Sequence, residues 1–166
     1  MKTKEENKAT NILGLPVKET EVIAAELNIL LSNFQVYYQN LRGLHWNIRG
    51  KRFFDLHVKF EELYNDAQEK IDLVAERILT LGFTPLHTFD DYIKNNKIDV
   101  GRNITKDTEA VHLIISSLSS LLKIERVILD ESGNIGDEGT NSMMSDFITE
   151  QEKTIWMMKA WSEEEI

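Results

Sequence analysis

IAAELNILLSNFQVYYQNLRGLHWNI, residues 23–48, decides the fold. Its apolar positions Ile23, Leu27, Leu30, Phe34, Tyr37, Leu41, Leu44 and Ile48 step alternately by four and three. That is the period of one helix face, held for more than three heptads, and it is far too long for a strand. The stretch predicts a long amphipathic helix with Thr20 as its N-cap. Asn47 to Gly50 read as the turn that ends it.

The same period recurs downstream. Leu56, Phe60, Leu63, Ala67, Ile71, Val74, Ile78 and Leu81 form the stripe of a second helix, about Phe53 to Leu81, stopped by Gly82 with Pro85 shortly after. Residues 82–104 are a long connection in which TFDDYIKNN, 88–96, predicts a short helix capped by Thr88. A third long helix is expected over about Thr105–Glu131, SGNIGDEGT as a loop, and a fourth over about Thr140–Trp161. Four long helices with one long link, between the second and third, are the chain pattern of an all-α, ferritin-like four-helix bundle with a single crossover. Residues 1–17 read as a flexible N-terminal tail and 18–166 as the bundle domain.

Composition narrows the chemistry. The chain has 166 residues, two prolines and no cysteine, which excludes disulfides, thiolate metal sites and cysteine nucleophiles. Its polar start has no apolar core of a secretory signal, and no apolar run nears the ~20 residues of a membrane span. A cytoplasmic protein with no membrane partner is the expectation. The net charge of −9 repels nucleic acid and favours cations. DNA binding would rest on Lys2, Lys4 and Lys8 in the tail, where Glu5 and Glu6 interrupt the basic run.

The histidine and carboxylate residues suggest a metal. His57, Glu61, Asp72 and Glu76 fall within roughly 100° of one another on the second helix, on a face centred about 120° from its core stripe. Imidazole with carboxylate suits iron, zinc or manganese. Yet His57 and Asp72 are fifteen residues apart, about 22 Å along a helix, and cannot share an ion within one chain. Two copies of the helix, antiparallel about a twofold axis, bring them together. The pairs His57–Glu76 and Glu61–Asp72 share one midpoint, between residues 66 and 67, as a self-complementary interface requires. His45, at the end of the first helix, is a further candidate ligand. Spacing alone leaves a second reading open: a solvated carboxylate face beside packing histidines.

A resemblance carries the reading further. His45, Trp46, Asn47, Ile48, Gly50, Phe53, Leu56 and His57, then Glu61, then DLVAER (72–77), DEGT (137–140) and EKTIWMMKAW (152–161) resemble the Dps family, mini-ferritins named for DNA protection during starvation. The match spans most of the chain beyond the tail. It implies a bundle with a short crossover helix, a hollow shell of twelve subunits, and ferroxidase sites at the dimer twofold. There Fe(II) is oxidised, preferably by hydrogen peroxide rather than O2, and ferric mineral is stored inside, with no organic cofactor. A DNA-compacting protein built on the same shell is the alternative function.

By position, the resemblance makes His45, His57, Glu61, Asp72 and Glu76 the iron ligands, the last two from the partner subunit. Glu61 stands where the family usually has Asp. Trp46 resembles the family's tryptophan beside the site, a trap for stray oxidising equivalents or an interface aromatic. The resemblance also places Asp137, Glu138 and Asp146 near a threefold pore, although Ser142 replaces an Asp found in some members. Glu62 and Asp66, off both the core stripe and the ligand face, are candidates for mineral nucleation. The single Glu109-x-x-His112 lacks the second such motif that an in-bundle di-iron site needs, so His112 reads as structural, as does His87. Met143, Met144, Met157 and Met158 read as core or interface fillers.

Overall fold

Every residue of the 23–48 seam is buried, and the helix it predicts packs against three others. The computed structural model describes residues 9–162. It comprises α1 (Val17–Asn47), α2 (Phe53–Thr80), α3 (Phe89–Asn95), α4 (Asp107–Asn134) and α5 (Glu138–Ser162). α1 packs on α2, α3 and α4, and α4 packs on α5. The described residues contain no strand, only an isolated bridge between Thr10 and Pro16. This is the expected all-α, ferritin-like bundle with a short helix in its long crossover.

The stop signal of α2 behaves as its residues dictate. Gly82 adopts φ +93°, which a side chain would oppose. Its N–H bonds the Leu79 carbonyl at 2.9 Å and the Phe83 N–H bonds the Ile78 carbonyl at 3.0 Å, a Schellman closure. Thr88 caps α3, accepting the Asp91 N–H at 3.2 Å.

Two boundaries differ from expectation. Thr20 is not an N-cap: α1 begins one turn earlier, after Pro16, and the buried Thr20 hydroxyl donates back to the Pro16 carbonyl at 2.7 Å. A cap must accept an N–H, and this hydroxyl donates within the helix. α4 runs through Gly133 to Asn134, leaving a loop of only Ile135–Asp137. Of the tail, residues 9–16 form a turn in which the Asn11 side chain accepts the N–H groups of Leu13 and Leu15, and Leu15 docks in the core. Lys2, Lys4 and Lys8 lie outside the described residues.

The crossover has few apolar anchors and is held instead by three α1 asparagines. Asn28 accepts the Leu86 N–H at 2.7 Å and donates to the Thr84 carbonyl at 3.3 Å. Asn33 accepts from Lys97 N–H at 2.8 Å and donates to Asn95 O at 3.4 Å and Ile29 O at 2.8 Å. Asn40 accepts from Gly101 N–H at 2.9 Å and donates to Asp99 O at 2.8 Å. Each carboxamide supplies both the donor and the acceptor that an irregular backbone lacks.

One polar cluster is buried between the helices. The Lys70 ammonium, on a residue only 4% exposed, pairs with Asp66 and with Glu150 at 2.6 Å and lies 5.2 Å from the Phe147 ring centroid. Nearby, Gln151 donates to the fully buried Glu125 at 2.5 Å. Burial pushes the Glu125 carboxyl from 4.5 to about 7, against the opposing pull of Gln151, Lys70 and Arg126.

Two predictions follow from these buried polar groups. Asn33→Leu strands the Lys97 N–H and the Asn95 carbonyl, and should lower stability by about 1–3 kcal/mol in urea titrations. Hydrogen exchange should accelerate around residues 95–98. Glu125 holds its proton more tightly folded than unfolded, so its contribution is greatest below pH 4.5 and is lost as pH rises to about 7. Glu125→Gln should flatten that decline and stabilise the chain at pH 8, by an amount on the order of 3 kcal/mol.

Candidate metal centre

The short turn after α1 brings the last turn of that helix against the start of α2. The Ile48 N–H closes on the Leu44 carbonyl at 2.9 Å, and the Arg49 N–H reaches the Thr105 carbonyl at 3.0 Å, tying the turn to the foot of α4. Gly50, at φ +117°, redirects the chain into α2. His45 and His57 meet as a result.

The two imidazoles hold each other's helix. Nδ1 of His45 lies 2.7 Å from the His57 carbonyl oxygen, and Nδ1 of His57 lies 2.8 Å from the His45 carbonyl oxygen. A carbonyl only accepts, so both Nδ1 atoms carry hydrogen. In each neutral ring the lone pair is then on Nε2, the state a metal ligand needs. The rings stack at 3.7 Å and 16°. Phe53 backs His57 at 4.9 Å, and Tyr64 meets His45 edge-on at 5.4 Å. His45 is 9% exposed and His57 half-buried, so packing fixes both rings. This pair of orienting bonds was invisible in the sequence, because backbone carbonyls carry no residue identity.

Glu61 stands one turn beyond His57 and is exposed. Burial, and then the Glu61 carboxylate beside it, raise the Tyr64 phenol above the usual tyrosine range. Asp72 and Glu76 are also exposed, farther along α2. Among the described residues no three His, Asp or Glu side chains of one chain gather as a metal site. The five candidates form two separate groups: His45, His57 and Glu61 toward one end of the α2 face, Asp72 and Glu76 toward the other.

The same face carries exposed apolar groups toward both ends of α2. Phe54 is 80% exposed, Val58 54% and Leu79 58%. These residues share a stripe with Glu61, Asp72 and Glu76, within roughly 80° of one another. Large exposed apolar groups flanking carboxylates suit a contact with another chain better than a solvated face.

The remaining candidates fall in separate places. Trp46 is exposed, with the Arg42 guanidinium 5.3 Å from its ring centroid. Asp137 is buried at 2% exposure: it accepts the Thr140 N–H at 3.1 Å, capping α5, and pairs with Arg77 at 2.5 Å. Arg77 can lie this close because residue 139 is glycine; a Cβ there would come within 2.9 Å of the guanidinium. Glu138, Ser142 and Asp146 are exposed, and Asp146 lines a groove between α2 and α5 with Asp66, Glu69 and Glu150. Glu62 pairs with Lys59 at 2.8 Å and Asp66 with Lys70, so Lys59 and Lys70 balance both nucleation candidates. Glu109 pairs with Lys106 at 3.4 Å, and the His87 ring nitrogen Nδ1 faces the Pro85 carbonyl at 2.9 Å. Met144 and Met158 are in the core, and Met143 packs against it. The sequence reading missed Lys70, although it sits at the edge of the α2 core stripe.

Known proteins resemble this chain in sequence and fold. Residues 24–165 match the ferritin-like domain family. The DNA protection during starvation protein of Porphyromonas gingivalis is 38% identical over 155 residues, spanning 93% of this chain and 98% of that protein. The crystal structure of a Vibrio cholerae Dps protein, described as one of the ferritin-like diiron-carboxylate proteins, superposes with a TM-score of 0.90. It is 48% identical, over 92% of this chain and 96% of that one. A Dps protein from Bacillus brevis superposes at 0.84 with 32% identity, over 87% and 97% of the two chains.

The place of Asp137 is open to a simple test. Asp137→Ala removes the α5 cap and leaves Arg77 without its carboxylate, and should cost about 3 kcal/mol in denaturant unfolding. A solvent-facing acidic residue would change stability by no more than about 0.5 kcal/mol.

Proposed function

Because this chain belongs to the Dps family of ferritin-like proteins, we propose that it oxidises Fe(II) at sites shared across a twofold axis and stores the ferric product inside a shell of identical subunits. The observation that carries this reading is the reciprocal lock of His45 and His57, which leaves the lone pair of each neutral ring on Nε2, with Glu61 one turn beyond His57 on α2. The shell is a dodecamer and the preferred oxidant is hydrogen peroxide.

Iron is the substrate. Antiparallel pairing of two α2 helices brings Asp72 and Glu76 of one subunit to His45, His57 and Glu61 of the other. The exposed Phe54, Val58 and Leu79 supply apolar contact around them. Neutral imidazoles hold the ion while carboxylate oxygens, hard donors, favour Fe(III). Two Fe(II) ions each yield one electron to a single peroxide, which takes two protons and leaves as two waters, so no hydroxyl radical is released. The carbonyl bonds at Nδ1 keep both rings from turning as the ion changes charge. Glu61, one methylene longer than the family's usual Asp, would still supply a carboxylate ligand, with the second ion position shifted by the extra length. Glu138 and Asp146, exposed near the start of α5, attract Fe(II) toward the pore.

Protection of DNA here is chemical: iron and peroxide are consumed together. A chain of net charge −9 has little attraction for the phosphate backbone.

His57→Ala and Asp72→Ala test this. Each variant alone, metal-free and then given anaerobic Fe(II) and stoichiometric peroxide, should lose the fast rise in ferric absorbance seen in the parent. Mixed by denaturation and refolding, the two variants should regain about a quarter of the parent's sites, since half the dimers are mixed and each mixed dimer has one intact site. Full activity in either variant alone, or no recovery on mixing, rules out the shared site.

A further inference from the structure

Among the described residues, the buried side-chain atoms without a hydrogen-bond partner include Oε2 of Glu125 and Oε1 of Gln151. The two side chains are already joined through their other atoms: Nε2 of Gln151 on α5 donates to Oε1 of Glu125 on α4 at 2.5 Å. Glu125 is fully buried and Gln151 is 4% exposed. A carboxylate oxygen and a carboxamide oxygen are both acceptors, so neither satisfies the other while Glu125 is ionised. A buried acceptor left open is costly, and a buried anion left unpaired costs more. One hydrogen on Oε2 removes both faults. It donates to Oε1 of Gln151, and acid and amide then share two antiparallel hydrogen bonds in a closed ring.

We propose that Glu125 and Gln151 form a proton-operated latch between α4 and α5, closed as a neutral acid–amide pair and open when Glu125 loses its hydrogen and draws Lys70 away from Asp66 and Glu150.

The groups packed around the pair decide where the charge goes. α2 presents Lys70, held by Asp66 and, at 2.6 Å, by Glu150 of α5. α4 itself carries Arg126, whose guanidinium is exposed and pairs with the exposed Glu152. α1 brings Tyr37, which lines one pocket with Asp66, Glu150 and Gln151 and whose phenol is kept protonated by burial and by Asp66. Lys70 is thus the cation inside the bundle that answers a Glu125 carboxylate. It is buried, whereas Asp66 and Glu150 are exposed and return to water when it leaves. A charge in the interior attracts it more strongly than two that solvent screens. Burial sets the Glu125 transition at about 7, against the opposing pull of Gln151, Lys70 and Arg126. As the latch opens, the groove lined by Asp66, Glu69, Asp146 and Glu150 loses the Lys70 charge that offsets it.

The test uses the full-length chain with isotope-labelled glutamate, read by infrared spectroscopy. At pH 6, below the Glu125 transition, the parent should show a protonated-acid carbonyl band that Glu125→Gln removes and that fades as pH rises through about 7. In Lys70→Met, which leaves Asp66 and Glu150 in solvent, the band should persist to higher pH because the receiving cation is gone. Hydrogen exchange of α5 around Gln151, corrected for its intrinsic pH dependence, should lose protection by up to about tenfold per pH unit between pH 5 and 7 and level off above, as a proton held only in the closed state requires. In Glu125→Gln, whose amide can make the same two bonds, that decline should be absent. A parent spectrum without a protonated acid at pH 6 overturns the latch, as does a decline in Glu125→Gln equal to the parent's. A band in Lys70→Met that fades at the parent's pH overturns the exchange of partners.

Discussion

Two imidazoles, each bonded through Nδ1 to the other's backbone carbonyl, tie the end of α1 to the start of α2. The rest of the site depends on that clasp. It sets the tautomer of both rings, fixes their planes 3.7 Å apart, and so determines which nitrogen is left for a metal. It also fixes the angle at which the first helical pair meets, because neither ring can turn without losing a bond to the opposite helix. A half-buried carbonyl that has found such a partner is costly to release. Orientation of the ligands and closure of the hairpin are therefore one interaction.

The remaining constraint is length. A helix rises about 1.5 Å per residue, so the two ends of the α2 ligand face stay far apart however well the chain folds. A second copy of the helix would answer this, and the exposed Phe54, Val58 and Leu79 on the same stripe would gain from being covered by it. In the proposed reading the clasp, a property of one subunit, prepares half of a site shared by two.

Elsewhere the bundle accommodates polar groups where its apolar pattern ends. Asn28, Asn33 and Asn40 do for the crossover backbone what a helix or sheet would otherwise do. Lys70 draws Asp66 of α2 and Glu150 of α5 together. Arg77 draws the capping carboxylate of α5 onto α2. α2 and α5 are bridged by these charged side chains, and this leaves the acidic groove between them open to solvent.

The amino-acid sequence by itself determined the long helices, their order and the stop at Gly82. Apolar period, glycine and proline are local properties, and the eight positions of the 23–48 seam are all buried as their spacing requires. It also placed His57, Glu61, Asp72 and Glu76 on one face, because helical angle follows from residue number. It did not reveal the clasp, the asparagine contacts or the burial of Asp137. Those depend on backbone carbonyls and on residues some sixty positions apart, whose meeting is decided by how the helices cross. Thr20 shows the same limit at short range: a threonine before an apolar run suits a cap, but Pro16 starts the helix a turn sooner and turns that hydroxyl inward. Pattern determines which residues must be covered; only tertiary packing decides which polar group covers which, since hydrogen bonds need distance and direction that no periodicity carries.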